Sequence, residues 1–163
     1  MKETDRLADQ LERSLEGEAW HGPALLELLR GVTPAEAMAK PISGVHSIGE
    51  IVPHLIVWQD VARRRLSGDP ARFEIGGPQD WPPPPTATDV SWTSALDRLR
   101  ASTDSLARAI RALPEARFDE PILEGFSTVY QTLHGVVQHN LYHAGQIAAL
   151  KRALGRPAVE PAA

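Results

Sequence analysis

Apolar residues recur at three- and four-residue spacing through most of this chain, and prolines and glycines cut the recurrence into segments. A stripe with that period lies on one side only if the backbone is helical. Leu7, Leu11 and Leu15 begin the pattern in a stretch that opens near Thr4. Gly17 and Gly22-Pro23 interrupt it, because proline lacks an amide donor and clashes with the preceding turn. A second piece, rich in leucine, is expected from about Pro23 to Arg30, followed by a short turn at Pro34 to Ala39.

Ser47 with Glu50 three residues later forms a capping-box signature, which opens a helix predicted to run to about Leu66 and to stop at Gly68-Asp69-Pro70. Pro53 falls past its first turn, so the helix either starts later or bends there. Residues 69–89 contain the run Pro82 to Pro85 and read as an extended crossover loop, held on the rest of the molecule by Phe73, Trp81 and Trp92. A third long helix spans roughly Ser91 to Ala112, with Leu96, Leu99, Leu106, Ile110 and Leu113 as its stripe. The last runs from about Thr128 to Ala153, with Gly155 and Pro157 closing it. Residues 158–163 read as a frayed tail. The expectation is all-α: residues 1–163 as one domain, a four-helix bundle with a long crossover loop between the second and third helices.

Charge and composition remove several classes of function. Net charge is −4, and the 17 lysines and arginines are scattered, so there is no basic face for nucleic acid. The densest run, Arg63-Arg64-Arg65, reads as a solvated helix face. With no cysteine, disulfides, thiolate nucleophiles and Cys-based zinc sites are excluded. The first residues lack the apolar core of a secretory signal, and no window is apolar enough to span a membrane. A cytoplasmic protein is the expectation.

The histidines are the most informative residues. His139 and His143 stand four apart on the last predicted helix, so their rings project from one side on consecutive turns. Both lie on the shoulder of the stripe formed by Leu133, Val136, Val137, Ala144 and Ile147. Two imidazoles so placed can grip one divalent ion, and the same pair would serve equally as packing residues. Asn140 stands where a zinc protease would have its glutamate, so that motif is excluded. His54, a polar residue among Ile51, Leu55 and Trp58, is the best candidate for a third ligand. His134 falls on a different face, and His46 and His21 read as surface or capping residues.

The residues His54 and Trp58, together with the run from His139 through His143-Ala144-Gly145-Gln146-Ile147, resemble the DinB-like/YfiT-like superfamily of metal-binding four-helix bundles. Ser47 to Leu55 and Arg65-Leu66-Ser67-Gly68 look like that family's second-helix signature, and Trp20 to Leu29 like a variant of its first helix. Pro53 and the proline run are departures. The resemblance implies that His54, His139 and His143 bind one divalent metal ion, nickel or zinc first and iron or manganese next. It also implies a small-molecule substrate, a low-molecular-weight thiol among the candidates, and a homodimer. Characterised members of that family include transferases and isomerases that use low-molecular-weight thiols, and others carry only a hydrolase label.

Three neutral histidines leave an ion its full double charge, which lowers the pKa of a bound water to about 7 or deprotonates a thiol. Hydrolysis and thiol transfer therefore both remain open, beside a non-catalytic metal-binding or interaction module. No catalytic acid or base is identified. Gln146 fits a hydrogen bond to a ligand ring as well as a packing role. Trp58 reads as a wall of the site, Tyr142 as a core-to-surface residue, and Glu50 as a cap. Asp60 and Asp89 are possible fourth ligands that nothing places.

Overall fold

The structure is a computed structural model in which residues 1–70, 72 and 74–159 are described. The described residues form helices joined by turns and loops, with no strand; an isolated antiparallel bridge joins Pro121 and Thr128. The helices are α1 (Glu3–Leu15), α2 (Leu25–Leu29), α3 (Pro34–Met38), α4 (Ile48–Leu66), α5 (Asp89–Arg111) and α6 (Val129–Ala153), with a 3-10 turn at Glu115–Asp119. Among the described residues, no helix is long and apolar enough to cross a membrane.

Local chemistry fixes where the site-bearing helices start. At α4, the Glu50 amide donates to Ser47 Oγ at 3.2 Å and the Ser47 amide to Glu50 Oε2 at 2.7 Å. At α6, Thr128 and Gln131 make the same reciprocal pair at 3.1 and 3.2 Å. Each box satisfies two amides that a helix start otherwise leaves unpaired. Pro53 lies inside α4, which runs through it without a break. Ile48, Ile51, Val52 and Leu55 are all at most 1% exposed on that segment, and their burial offsets a proline penalty of about 3 kcal/mol. Gly49 allows the close approach of α3, since a Cβ there would collide with the tip of Met38.

Helices α1 and α4 each pack against both α5 and α6, while α2 lies on α6 and α3 on α4. The interior forms two apolar clusters. Leu25, Ile51, Leu55, Leu99 and Ile147 belong to one. Leu7, Leu11, Leu106, Ile110 and Leu133 belong to the other.

A polar layer divides them, and every long helix contributes to it between its two apolar blocks. Ser102 and Thr103 of α5 place their hydroxyls 2.5 and 3.0 Å from Gln59 Oε1 of α4. Gln59 Nε2 donates to Asn140 Oδ1 of α6 at 3.4 Å, and Asn140 Nδ2 donates to Ser14 Oγ of α1 at 2.9 Å. Ser14 passes the chain on to the Leu11 carbonyl at 2.6 Å. Gln59, Thr103 and Asn140 are completely buried. Groups so buried must find partners, which ties the axial positions of the four helices to one another.

The connection between α4 and α5 packs on the molecule through Trp81, which is partly buried against the first cluster. Trp92 belongs to α5 itself and donates from its indole to the Val32 carbonyl at 2.9 Å. Phe73 lies outside the described residues. In the tail, Ala158 and Val159 pack against the first cluster, and the Ala158 carbonyl accepts from the buried Lys151 ammonium at 2.9 Å. Residues 160–163 lie outside the described residues.

Replacing Gln59 by Ala should destabilise the fold by about 2–3 kcal/mol, because Asn140 and two hydroxyls lose a buried partner. Urea unfolding checks this as a lower midpoint with an unchanged slope.

Candidate metal centre

The polar layer sets the level at which the histidines meet. Asn140 follows His139 directly, and Gln59 lies five residues beyond His54, so the amide contact brings those stretches of α4 and α6 face to face. His139 Nε2 lies 3.0 Å from His54 Nε2 and 3.0 Å from His143 Nε2. One ligand atom from each of the three falls within 4.8 Å of the others. His54 and His143 are 4% and 3% exposed, and His139 is partly buried.

The outer nitrogens decide which lone pairs face inward. His54 Nδ1 donates to the Asp80 backbone carbonyl at 2.8 Å and lies 3.0 Å from Asp80 Oδ1. His143 Nδ1 donates to Gln146 Oε1 at 2.7 Å. Both neutral rings therefore turn a bare Nε2 toward the common centre. Among the described residues, the buried Nδ1 of His139 finds no hydrogen-bond partner. Two acceptor nitrogens pressed to 3.0 Å of a third leave at most one ring hydrogen to share among them.

A divalent ion fits this arrangement. Two nitrogens each about 2.0–2.1 Å from one ion stand about 3 Å apart when they approach it at a right angle. The protonation state fits as well. Burial holds His139 down at about 3, helped by repulsion from its two neighbours, and holds His143 down at about 4 against the opposing bond to Gln146. Burial also lowers His54, outweighing the contacts to Asp80. All three are neutral at pH 7, the form that ligates.

Asp80 organises the surroundings. Its carboxylate is 2% exposed. Oδ1 accepts from the Trp58 indole at 2.8 Å and Oδ2 from the Gly76 amide at 2.7 Å. One side chain thus ties the connection between α4 and α5 to a candidate ligand. The next residue, Trp81, stacks on His54 with ring centroids 3.8 Å apart, and its other face stacks on His46 at 3.5 Å. Asp80 and the stacking role of His46 have no signal at helical spacing. A hint lay in the sequence: an acid followed by tryptophan just after the turn-forming Gly76-Gly77-Pro78.

The remaining sequence candidates fall elsewhere. Asp60 pairs with Arg63 at 2.7 Å on the surface, and Asp89 opens α5 in solvent. Neither joins the group, which among the described residues holds three ligands. Glu50 is committed to its cap and to Lys40 at 2.8 Å. Burial pushes its carboxyl up, but hydrogen bonds from Lys40 and Ser47 outweigh that and keep it below the ordinary range. Gln146 bonds a ligand ring. Trp58 is a wall, and Tyr142 stands 65% exposed at the rim. His134 packs on Tyr130 with ring centroids 4.3 Å apart, and His21 is exposed. The reading of Arg63-Arg64-Arg65 as one solvated face is corrected for Arg65. It is 8% exposed, because its position returns to the same face of α4 as His54.

The three histidines open into a cavity of about 670 Å³. Trp58, Val61, Ala62 and Val136 give it apolar walls, and Trp81 and His46 bound it at the histidine end.

A sequence model of the DinB superfamily matches residues 19–147, a span that holds all three histidines and Asp80. No curated protein and no solved structure matches the chain.

Two outcomes follow from this geometry. Asp80→Ala should weaken metal binding by about 10- to 100-fold, since His54 loses the partner that orients it; a competition titration against a chelating dye measures this. The second concerns pH in the metal-free protein. The histidines bind protons below about pH 6.5 when unfolded, and below about 3 to 4 when folded for His139 and His143. Stability is therefore full above pH 6.5 and lost as pH falls toward 4, by up to about 1.4 kcal/mol per pH unit for each histidine. Urea unfolding between those values should show a shallower decline in His139→Ala than in wild type.

Proposed function

The chain belongs to the DinB superfamily, and from that premise we propose that it is a metal-dependent enzyme acting on a small molecule. His54, His139 and His143 would hold one divalent ion, nickel or zinc first and iron or manganese next. The observation that carries the reading is the ligand set: three inward-facing ring nitrogens at the mouth of a cavity. Structural zinc sites are usually closed by four protein ligands, whereas catalytic ones keep a position open. The nearest carboxylate, Asp80, is engaged on the far side of His54.

A bound ion would supply Lewis acidity, lowering the pKa of a thiol or water that enters the site. The protein's own groups do the rest. Asp80 and Gln146 fix the rings of His54 and His143. Trp81 and the apolar walls exclude water and bind the carbon frame of the substrate. Of the two chemistries that a three-histidine ion supports, thiol-dependent S-transfer agrees better with these groups than hydrolysis. It needs the thiol proton to leave to solvent and sulfur to bond an electrophilic carbon as that carbon's leaving group departs. Hydrolysis ordinarily adds a general base; Asp80, beside His54, and Glu50, one turn before it on α4, already have other partners.

The same reading takes the four long helices as a four-helix bundle with residues 69–89 as its crossover, supported by the packing of α1 and α4 against both α5 and α6. It further takes the protein as cytoplasmic and, as the family resemblance implies, as a homodimer that uses a low-molecular-weight thiol.

Elemental analysis of untagged protein tests the site directly. Wild type should carry close to one divalent ion per chain, and His139→Ala should carry almost none. Wild type that stays empty after incubation with nickel, zinc and manganese would sink the proposal.

A further inference from the structure

Three glycines lie inside the long helices: Gly49 in α4, and Gly135 and Gly145 in α6. Glycine weakens a helix interior, because its backbone gives up more freedom on folding than that of any other residue. Gly49 has a packing reason in the tip of Met38, and Gly145 stands in solvent. Gly135 has neither. Its backbone is ordinary helix, with no positive φ to favour glycine. The residue is half-buried, yet among the described residues a Cβ there would meet nothing within 4 Å. The space it leaves open is the cavity, whose wall it forms.

Its place in that wall is specific. Gly135 lies one turn before His139 on α6, about 6 Å along the axis, and Thr132 lies one turn further from the histidines. All three line the cavity. Helix α4 presents Trp58, Val61 and Ala62 to the same space. The cavity is therefore a trough that runs from the histidines, past Gly135, toward Thr132. A helical side chain leans back toward the start of its helix. One at position 135 would lean away from His139 and across the apolar middle of the trough. It would leave the histidine end open and cut off the remainder. The full volume of about 670 Å³ is that of a site for a drug-sized molecule, well beyond the needs of an ion.

We propose that Gly135 sets the length of the molecule this cavity accepts, and that its occupant is elongated and apolar where it passes Gly135 on the way from the histidines toward Thr132. That this occupant is a substrate rests on the reading of the histidines as a metal-dependent site; the length limit at Gly135 does not.

The test uses metal-free, full-length protein and two probes that differ only in length, butanol and octanol. Binding is read from tryptophan fluorescence, since Trp58 and Trp81 line the trough. Each methylene taken into an apolar site adds about fourfold in affinity, so wild type should bind octanol at least about 10-fold tighter than butanol. Gly135→Leu should weaken octanol binding about 10-fold or more and leave butanol within about twofold, as expected when several methylenes lose their place. Gly135→Ala should fall between wild type and Gly135→Leu for octanol. It should also raise the unfolding midpoint by about 2–4 °C, because it removes a helix glycine and meets no obstacle. A lower midpoint in Gly135→Ala would mean that the glycine serves packing, and overturns the proposal. So does a wild type that does not favour octanol, octanol binding that Gly135→Leu leaves unchanged, or an equal loss of both probes. Should Gly135→Leu fail to fold, Gly135→Ala decides with the same probes: octanol must lose more than butanol. No metal enters these measurements, so their outcome is separate from that of the elemental analysis.

Discussion

One buried amide contact, Gln59 to Asn140, holds the arrangement on which everything else depends. It sits in a polar layer to which α1, α4, α5 and α6 all contribute, with apolar packing on either side. Apolar contacts alone are tolerant of sliding, since a leucine displaced by one turn meets another leucine. A buried amide is not tolerant, because every alternative register leaves donors and acceptors without partners. Asn140 is adjacent to His139, so the register that satisfies the amides also brings His139 and His143 opposite His54. The chain places its candidate ligands by satisfying its own hydrogen bonds.

The surroundings of the three histidines are unequal. His54 is held on its outer nitrogen by Asp80 and on its ring face by Trp81, and His143 by Gln146. Among the described residues His139 has no outer partner, yet it is the ring whose Nε2 lies 3.0 Å from both of the others. Two rings are therefore fixed by their outer bonds, while the third takes its orientation from helix geometry and from the centre it faces. A shared ion would supply the constraint that His139 lacks.

Much of this was legible in the sequence, for reasons that are local. The capping boxes at Ser47 and Thr128 read as helix starts because the partners are three residues apart. The pair His139 and His143 read as a two-ligand grip because four residues make one turn. His54 stood out as a polar residue within an apolar run. The rest depends on contacts that no short spacing encodes. Asp80 becomes part of the site only because the connection after α4 folds back over 26 residues to reach His54. His46 joins through the face of Trp81. Arg65 looked like part of a charged surface run, and its burial became visible only once α6 lay alongside α4.

The four prolines after Trp81 carry a kinetic consequence. A polyproline segment has few alternative conformations even in the unfolded chain, so holding it extended costs little entropy. Residues 82–85 therefore act as a strut that delivers Trp81 and Asp80 from a preset distance, about 12 Å of chain that cannot crumple. The walls around His54 need not be recruited when a ligand arrives. Association should then resemble entry into a finished vessel, limited by access through the mouth more than by rearrangement of the loop.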